Sequence, residues 1–330
     1  MKFNPFKIFA GHRCRYQFPI SLINPVFPAS DILADIAAMD PDSYRSAKEK
    51  LFSGLDDDSI RILQQVFDRY ELTLETGQIE FNMSRMTAAE VIFGETVMRR
   101  FYKDIKTRAN HYEWRGFKLP HCARFEPSVF LTNHGLDSVP SAIRLNENPD
   151  LVILDVGGSA GDSCLIFRKR FPNNKIISFE PIGANVELAK QTIALNNLQN
   201  VKIENIALTD ILGDVWFDTD CAGAECQESR IPGVGAKCAA ATLDSWIIKN
   251  PMRIGMIKID VEGGEHKFLD GAMETIKRDR PILLLSIYHN LDQLLTIKPR
   301  IEALGLGYKL HIFKPVDTLF LEILLIAQPE

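Results

Sequence analysis

Strand-like and helix-like segments alternate along the chain from residue 151 onward, and no other feature of the sequence constrains the fold as strongly. Seven short apolar runs predict strands, at 151–156, 175–180, 201–207, 254–260, 282–288, 308–313 and 319–327. Between most of these runs, apolar residues recur at helical spacing. This alternation of strands and helices predicts an α/β fold with a mostly parallel sheet covered on both faces. Only a turn separates the last two runs, so these strands must pair as an antiparallel hairpin at the end of the sheet.

The part of the chain before residue 146 has helical periodicity and no regular strand alternation, although the aromatic, turn-rich segment 111–140 indicates short strands and loop. One predicted helix carries apolar residues on a single face, namely Ile60, Leu63 and Phe67. Asp58 or Ser59 can cap this helix. The polar stretch 144–150 contains a proline and marks a boundary. We therefore predict a mainly helical region over 1–145, which contacts substrate or a partner, and a second domain over 146–330.

The composition is that of an ordinary cytoplasmic protein. The chain has 330 residues, of which 46% are hydrophobic, and a formal net charge of -5. This supports a large core and gives no global reason to expect nucleic acid as a partner. The six cysteines include no zinc-type pair, so we interpret them as reduced thiols. No segment is long and apolar enough to span a membrane, and polar residues interrupt any signal-peptide core.

A glycine-rich turn, "DVGGSAGDS" at 155–163, follows the first strand of the second domain. In open α/β sheets ligands bind beyond the carboxyl ends of the strands, so this turn is the first candidate for a binding site. Three residues without side chains allow a ligand to approach the backbone: Gly157, Gly158 and Gly161. The dinucleotide fingerprint G-x-G-x-x-G fails here, because Ser159 stands at its third position and Asp162 at its sixth.

Acidic residues around the turn favour a cationic ligand over a phosphate. Asp155 and Asp162 would both repel a pyrophosphate, whereas S-adenosylmethionine carries a sulfonium and an ammonium group and no phosphate. Glu180, at the tip of the second strand, can accept hydrogen bonds from both ribose hydroxyls. NAD also has an intact ribose, so Glu180 alone does not separate the two ligands, and it could instead cap the next helix. Together with Asp155 and the failed fingerprint, it favours the methyl donor.

The segment "MIKIDVEGGEH" at 256–266 places three charges on a strand that should be apolar. Lys258, Asp260 and Glu262 alternate, so they share one face while the strand persists. Since buried unpaired charges are costly, we expect the two acids at the open end of the sheet and Lys258 paired behind them. A structural ion pair with a helix-capping acid is the alternative. We favour residues that line a pocket, because charge at the carboxyl end of a strand is where α/β sites form.

His289 ends the next strand, and it reaches the same edge if the two strands are neighbours. An imidazole can accept a proton from a hydroxyl, so His289, Glu262 and Asp260 are the candidate catalytic residues. A histidine satisfied by backbone groups is the alternative. A metal bound by these three residues is chemically feasible. Their spacing matches no known metal motif, however, and we predict no metal site.

Five segments of the sequence resemble the FkbM-type methyltransferases over about residues 130–315. They are "ILDVGGSAGDS", "KIISFEPIGANVELAKQTIALNNLQNVKIENIALTD", "ATLDSW", "IGMIKIDVEGGEHKFLDGA" and "PILLLSIYH". The resemblance implies a Rossmann-like class I methyltransferase fold, with a seven-stranded sheet that ends in the antiparallel hairpin. It also implies S-adenosylmethionine as donor and a hydroxyl of a sugar, glycan or secondary metabolite as acceptor.

The resemblance assigns roles to residues that match the family's motifs. The methionine part of the donor is surrounded by the turn residues Asp155, Gly157, Gly158, Ser159 and Gly161. Glu180 holds the ribose, and the stretch from Asn205 to Asp210 forms the adenine edge of the pocket. Two other functions stay open, a donor-binding protein with an assembly role and no catalysis, and an NAD-binding oxidoreductase. The sequence leaves the acceptor and the oligomeric state undetermined.

Overall fold

The computed structural model describes residues 29–76, 93–217, 233, 235–314 and 322–329. The helices are α1 (Ala29–Ala38), α2 (Pro41–Phe52), α3 (Asp57–Thr76), α4 (Arg99–Asp104), α5 (Pro127–Phe130), α6 (Ile143–Glu147), α7 (Asp162–Arg170), α8 (Gly183–Leu195), α9 (Leu243–Lys249), α10 (Glu265–Gly271), α11 (Met273–Asp279) and α12 (Leu291–Glu302). A π-helical turn at Phe93–Met98 precedes α4, and 3₁₀ turns occupy Asn133–Ser138 and Pro140–Ala142. Among the described helices, none has both the length and the apolar character needed to cross a bilayer.

The strands form three sheets within the described residues. They are β1 (Lys106–Thr107), β2 (Tyr112–Trp114), β3 (Phe117–Leu119), β4 (Val152–Val156), β5 (Ile176–Phe179), β6 (Val201–Glu204), β7 (Ala207–Leu208), β8 (Gly213–Phe217), β9 (Ala236–Ala241), β10 (Ile254–Ile259), β11 (Ile282–Ser286), β12 (Tyr308–Phe313) and β13 (Leu324–Pro329). The largest sheet has seven strands in the order β12-β13-β11-β10-β4-β5-β6. This confirms the predicted seven-stranded sheet.

The hairpin at the end of the sheet is also confirmed. Strands β6, β5, β4, β10 and β11 run parallel, and β13 is antiparallel to both of its neighbours. The chain returns in β13 between β11 and β12, so β12 becomes the outer strand. The last predicted strand, 319–327, begins among residues outside the described part of the chain, and β13 itself spans Leu324–Pro329.

Both faces of the central strands are buried, which explains their continuous apolar runs. Every residue of β4, β5, β10 and β11 is buried. Because successive side chains point to opposite faces, Leu154 and Ile257 pack in the core on one side of the sheet. Ile153 and Met256 pack in a second core on the other side.

The chain before residue 146 contributes to both cores. Helix α3 confirms the predicted helix, and its Leu63 and Phe67 are buried with the sheet on one side. The capping prediction was wrong, because Asp56 Oδ1 accepts the Ser59 N–H at 2.8 Å and so closes the first turn. Aromatic residues at 101–130 pack in the core on the other side. The boundary at residue 146 stays a prediction.

Two small sheets stand apart from the large one, and of their strands only β2 and β3 fall in a segment, 111–140, for which short strands were predicted. The predicted strand 201–207 is two elements, because β6 ends at Glu204 and β7 belongs to a separate sheet with β9 and β8. Strand β9 has the sequence AKCAAA, and alanine is a poor strand former. Strands β1 to β3 make a three-stranded sheet inside the region predicted as mainly helical.

Candidate active site

The residues proposed from the sequence meet at one edge of the central sheet. The glycine turn follows β4, Glu180 follows β5, and Asp260 follows β10. His289 lies three residues beyond the end of β11. Since β5, β4, β10 and β11 are consecutive parallel neighbours in the sheet, their carboxyl ends place these groups side by side.

Close packing inside the protein accounts for two glycines of the turn. Gly157 has a φ of +82°, and a Cβ on it would lie 1.8 Å from the carbonyl oxygen of Asp260. A Cβ on Gly158 would lie 1.9 Å from the Ser178 hydroxyl oxygen. The sequence argument reserved this space for a ligand, whereas here the protein's own atoms fill it. Contact between the turn and a ligand stays a prediction.

Gly161 begins helix α7 in a left-handed conformation, with a φ of +76°. A Cβ at this position would come within 3.2 Å of Ala189 on α8. The glycine therefore allows α7 and α8 to pack closely under the turn. Asp162 follows it, and burial raises the pKa of this carboxyl to about 7.

Asp155 lies in the interior, beneath the turn and away from its surface. Its side chain is fully buried, and its Oδ2 accepts a hydrogen bond from the Ser178 hydroxyl at 2.9 Å. Burial raises its pKa, although the nearby Lys258 ammonium opposes this effect. Asp155 thus anchors the turn to β5, and any effect on a ligand from this position is electrostatic.

Glu180 joins the glycine turn to the start of α8. Its Oε2 accepts the Ser159 N–H at 2.8 Å, and its Oε1 accepts the Ile182 N–H at 2.9 Å. The Asn185 side chain donates a further bond of 3.3 Å to Oε1. Burial raises the pKa of Glu180, and these donors oppose the rise. The carboxylate is therefore held in one orientation at the tip of β5.

The two residues predicted at the adenine edge are more exposed to solvent than Glu180. Asn205 is exposed, and its side-chain amide donates to the carbonyl oxygens of Glu180 and Pro181 at 2.9 and 2.8 Å. Asp210 is also exposed, and its carboxylate accepts a bond of 3.0 Å from the Thr209 hydroxyl. Asn205 thus fixes the backbone of Glu180 and Pro181. Within the described residues, the hydrogen bond of Asp210 goes to Thr209 and not to another site residue.

Lys258 connects the turn with the charged strand, as its alternation with Asp260 predicted. Its ammonium donates to the Gly157 carbonyl oxygen at 2.7 Å. It lies 3.5 Å from Asp155 Oδ1 and 3.8 Å from Asp260 Oδ2. Burial disfavours the charged form, but the two carboxylates outweigh it and raise the pKa of Lys258. The buried cation therefore compensates acids on both β4 and β10.

His289 lies among carboxylates at the end of β11. Its Nε2 is 3.4 Å from Asp260 Oδ1 and 3.5 Å from Glu262 Oε2, and its Nδ1 is 3.1 Å from Glu265 Oε1. Burial opposes a charge on the ring, but the three carboxylates raise the pKa of His289 to about 9. The carboxylates therefore favour the charged form of the ring. Its role as a proton acceptor stays a prediction.

Glu265 and His134 are site residues that the sequence analysis missed. Glu265 is fully buried at the start of α10, where its Oε1 accepts the Val261 N–H at 2.9 Å. Its position three residues after Glu262, at the start of a predicted helix, was the available signal. His134 comes from the chain before residue 146, and its Nε2 lies 3.0 Å from the Ser163 hydroxyl oxygen beside the turn. Nothing in its sequence context marks this contact.

The strand order and the position of the site define a Rossmann-like class I methyltransferase fold. The family model for the methyltransferase FkbM domain matches residues 155–322, which is just over half of the chain. The chain therefore belongs to the FkbM methyltransferase family, and methyl transfer is the chemistry that this family implies.

One solved structure supports this fold. The crystal structure of methyltransferase FkbM from Methylobacillus flagellatus is similar with a TM-score of 0.54 and 15% identity, over 90% of this chain and 60% of that one. The chain thus spans about three fifths of that relative's length. An rRNA methylase from Streptococcus thermophilus matches with a TM-score of 0.39 and 12% identity, over 63% of this chain and 99% of that one. No curated protein sequence matches the chain.

Proposed function

We propose that the chain transfers a methyl group from S-adenosylmethionine to a hydroxyl oxygen of a sugar, glycan or secondary metabolite. The observation that carries the proposal is the position of Glu180 within the FkbM domain. Its carboxylate lies at the tip of β5 and is bonded to the backbone of the glycine turn through Ser159. This is where an α/β sheet of this kind holds the ribose of a nucleoside.

The residues at this edge fit such a donor. Two backbone N–H groups and the Asn185 amide fix the Glu180 carboxylate, and Oε2, which accepts one of these bonds, keeps a further lone pair for a ribose hydroxyl. Asp162 lies at the turn and Asp155 beneath it, and a carboxylate at either position favours a cationic ligand over a phosphate. We assign the methionine part of the donor to the turn and the adenine to the side of Asn205 and Asp210.

The acceptor side of the proposed site is formed by Asp260, Glu262 and His289. The close approach of Gly157 to the Asp260 carbonyl oxygen supports this, because it brings the end of β10 against the turn. The donor supplies a methyl group on a sulfonium, which is already a strong electrophile. The protein's part is to align the hydroxyl oxygen with that methyl group and to accept the hydroxyl proton. The carboxylates of Asp260 and Glu262 offer acceptors for it, and His289 does so in its neutral form.

The region before residue 146 is the proposed source of contacts to the acceptor. His134 of that region lies beside α7, and Glu126 affects the same edge through its charge. Burial and the carboxylates of Glu126 and Asp260 raise the pKa of Glu322 to about 8. The carboxylates of Asp260, Glu262 and Glu265 also cluster at this edge, which favours a neutral or cationic acceptor over a phosphorylated one.

The donor site is tested by calorimetry with S-adenosylhomocysteine. We expect the wild-type chain to bind it, and Glu180→Gln to weaken binding by about 1.5–3 kcal/mol, since hydrogen bonds to a charged acceptor are lost. Glu187→Gln is the matched control, because Glu187 is exposed on α8 and pairs only with Lys190 in the described contacts. Equal affinity for the wild type and Glu180→Gln would remove Glu180 from the site.

The reaction is tested with donor that carries a radiolabelled methyl group, incubated with fractions of sugars, glycans and secondary metabolites. Transfer of the label to a hydroxyl compound is the expected outcome. Binding of S-adenosylhomocysteine without transfer to any fraction would instead support the donor-binding protein without catalysis. Binding of NAD in place of S-adenosylhomocysteine would support the oxidoreductase.

A further inference from the structure

A buried histidine and three acids form a compact cluster at the ends of β10 and β11. The His289 side chain is 5% exposed and that of Glu265 is fully buried, whereas Asp260 and Glu262 are half-buried. Three carboxylate oxygens lie 3.1–3.5 Å from the two ring nitrogens. The cluster therefore has a buried floor and an edge that faces the proposed acceptor side.

The ring nitrogens of His289 have no hydrogen-bond partner of acceptable geometry in the part of the chain described here. Buried polar atoms are nearly always satisfied, so two such atoms on one ring require an explanation. The nearby oxygens are at short range but not in line with an N–H bond. Carboxylate oxygens therefore surround a ring whose nitrogens bond to none of them, and release of a ring proton would leave electron-pair donors directed at a common space.

We propose that Asp260, Glu265 and His289 bind a divalent metal ion. One ligand atom of each residue lies within 4.8 Å of the ligand atoms of the other two. Ligands at about 2.1 Å from an ion are roughly 3.0–3.4 Å apart in octahedral or tetrahedral geometry. Small side-chain rotations therefore close the cluster on an ion. Two carboxylates and one imidazole, with no thiolate, form a donor set suited to Mn²⁺, Mg²⁺ or Zn²⁺.

The surroundings of Glu265 support a role as ligand. Its two oxygens accept bonds from the Val261 N–H and the Gln293 side-chain amide, which fixes the carboxylate in the way that outer partners fix metal ligands. The half-buried Glu262 supplies a further carboxylate at the open edge. An ion here would keep coordination positions for the acceptor hydroxyl, a consequence that rests on the proposed function. Metal binding itself does not depend on that function.

A second histidine with an acidic neighbour, His266, differs from His289 because both of its ring nitrogens have hydrogen-bond partners. His266 Nε2 lies 3.2 Å from Asp292 Oδ2, but its ring nitrogens also meet the Thr296 hydroxyl and the Arg300 guanidinium. This ring is satisfied and faces a positive charge, so it is not suited to a cation. His266→Ala is therefore the matched control for substitutions in the cluster.

The experiment uses the full chain, freed of metal with a chelator and titrated with Mn²⁺. The free ion is followed by its room-temperature electron paramagnetic resonance signal. We expect saturable binding of one ion per chain, with affinity at least tenfold lower in His289→Ala and Glu265→Gln and unchanged in His266→Ala. On the wild-type complex, pulsed measurements of ¹⁴N coupling should show an imidazole nitrogen bound directly to Mn²⁺.

The ¹⁴N measurement decides the question even if a cluster variant fails to fold, because it uses the wild-type chain. Absence of saturable binding at millimolar Mn²⁺, or bound Mn²⁺ without nitrogen coupling, would overturn the proposal. Retention of full affinity in folded His289→Ala would do the same. S-adenosylhomocysteine binding measured on the same sample separates the two ideas, since donor binding without metal binding defeats only the metal site.

Discussion

A single backbone contact determines the residue type at position 157. Gly157 has a φ of +82°, and its Cα faces the Asp260 carbonyl oxygen so closely that an added Cβ would lie 1.8 Å from it. That oxygen belongs to the chain just beyond β10, so the contact joins two neighbouring strand ends. The glycine turn and the end of β10 are thus held together at this point by the absence of a side chain.

Gly157→Ala should lower the free energy of unfolding by roughly 3 kcal/mol or more, because a left-handed backbone costs about 1–2 kcal/mol and the clash adds to it. Gly183→Ala is the control, since no atom lies within 4 Å of a Cβ at that position and the residue begins α8. Its stability should change by less than about 1 kcal/mol. Urea unfolding followed by circular dichroism measures both, and equal stability of the two variants would show that the turn adapts freely.

Sequence patterns could predict charged residues that act within one strand, but not contacts made by folding. The alternation of Lys258 with Asp260 predicted their pairing, and the structure places them 3.8 Å apart. Glu265 was missed because its position at the cluster depends on how the chain turns back after Glu262, where a φ of +52° starts the turn. A left-handed glutamate has no sequence signature, since most residues there would be glycine or asparagine.

At the scale of elements, helix α3 protects the outer strand of the large sheet. The Ser59 side chain on α3 is 1% exposed, and its hydroxyl oxygen accepts the Ile312 N–H of β12 at 2.8 Å. Outer strands have unpaired backbone groups that promote association with other chains. Through this bond, helix α3 provides a partner for one backbone N–H group of the outer strand.

Ser59→Ala should destabilise the protein by about 1–3 kcal/mol, since a buried backbone N–H loses its partner and no water replaces it in a closed contact. The control is Ser46→Ala on α2, where the serine is exposed. Chemical denaturation gives the stability difference, and amide hydrogen exchange at Ile312 should accelerate only in Ser59→Ala. Unchanged exchange at Ile312 would mean that the hydroxyl does not protect the strand.

Elements with strong apolar runs were predicted well, and the weak ones were not. All five parallel strands of the large sheet correspond to predicted runs, and in four of them, β4, β5, β10 and β11, burial on both faces favours apolar residues at most positions. Strands β8 and β9 pair in a small sheet at the surface, where the pattern GDVWF and the alanines of β9 carry little signal. The hairpin was predicted from its short connection, but the insertion of β13 between β11 and β12 depends on sheet packing.

At the scale of the whole molecule, the chain before residue 146 and the sheet form their cores together. Residues of α1 to α3 pack against one face of the sheet, and residues 101–145 pack against the other. Apolar burial at about 25 cal/mol per Å² is the main stabilising contribution in such contacts. The sheet therefore depends on the N-terminal region for cover on both faces, and truncation at residue 146 would expose both cores.

His134 ties this region to the sheet and makes the whole molecule sensitive to acid. The ring is 8% exposed, lies against Phe167 with ring centroids 5.6 Å apart, and has Nε2 3.0 Å from the Ser163 hydroxyl oxygen. Burial, together with the Lys258 charge, lowers the pKa of His134 from 6.5 to about 3. The folded protein thus keeps this ring neutral at pH values where the unfolded chain protonates it.

The free energy of unfolding should therefore fall as the pH decreases from about 6.5, by up to roughly 1.4 kcal/mol per pH unit, because the unfolded chain binds one more proton in this range. His134→Asn removes the titrating group and suits the left-handed backbone of this position, where φ is 54°. Urea unfolding at about pH 7 and about pH 5 should show a loss roughly 2 kcal/mol smaller in this variant than in the wild type. His121→Asn is the control for the substitution itself, at a half-buried ring that bonds to the Arg108 carbonyl oxygen. Equal slopes for the wild type and His134→Asn would show that His134 is protonated in the folded state without cost, and that acid sensitivity arises elsewhere.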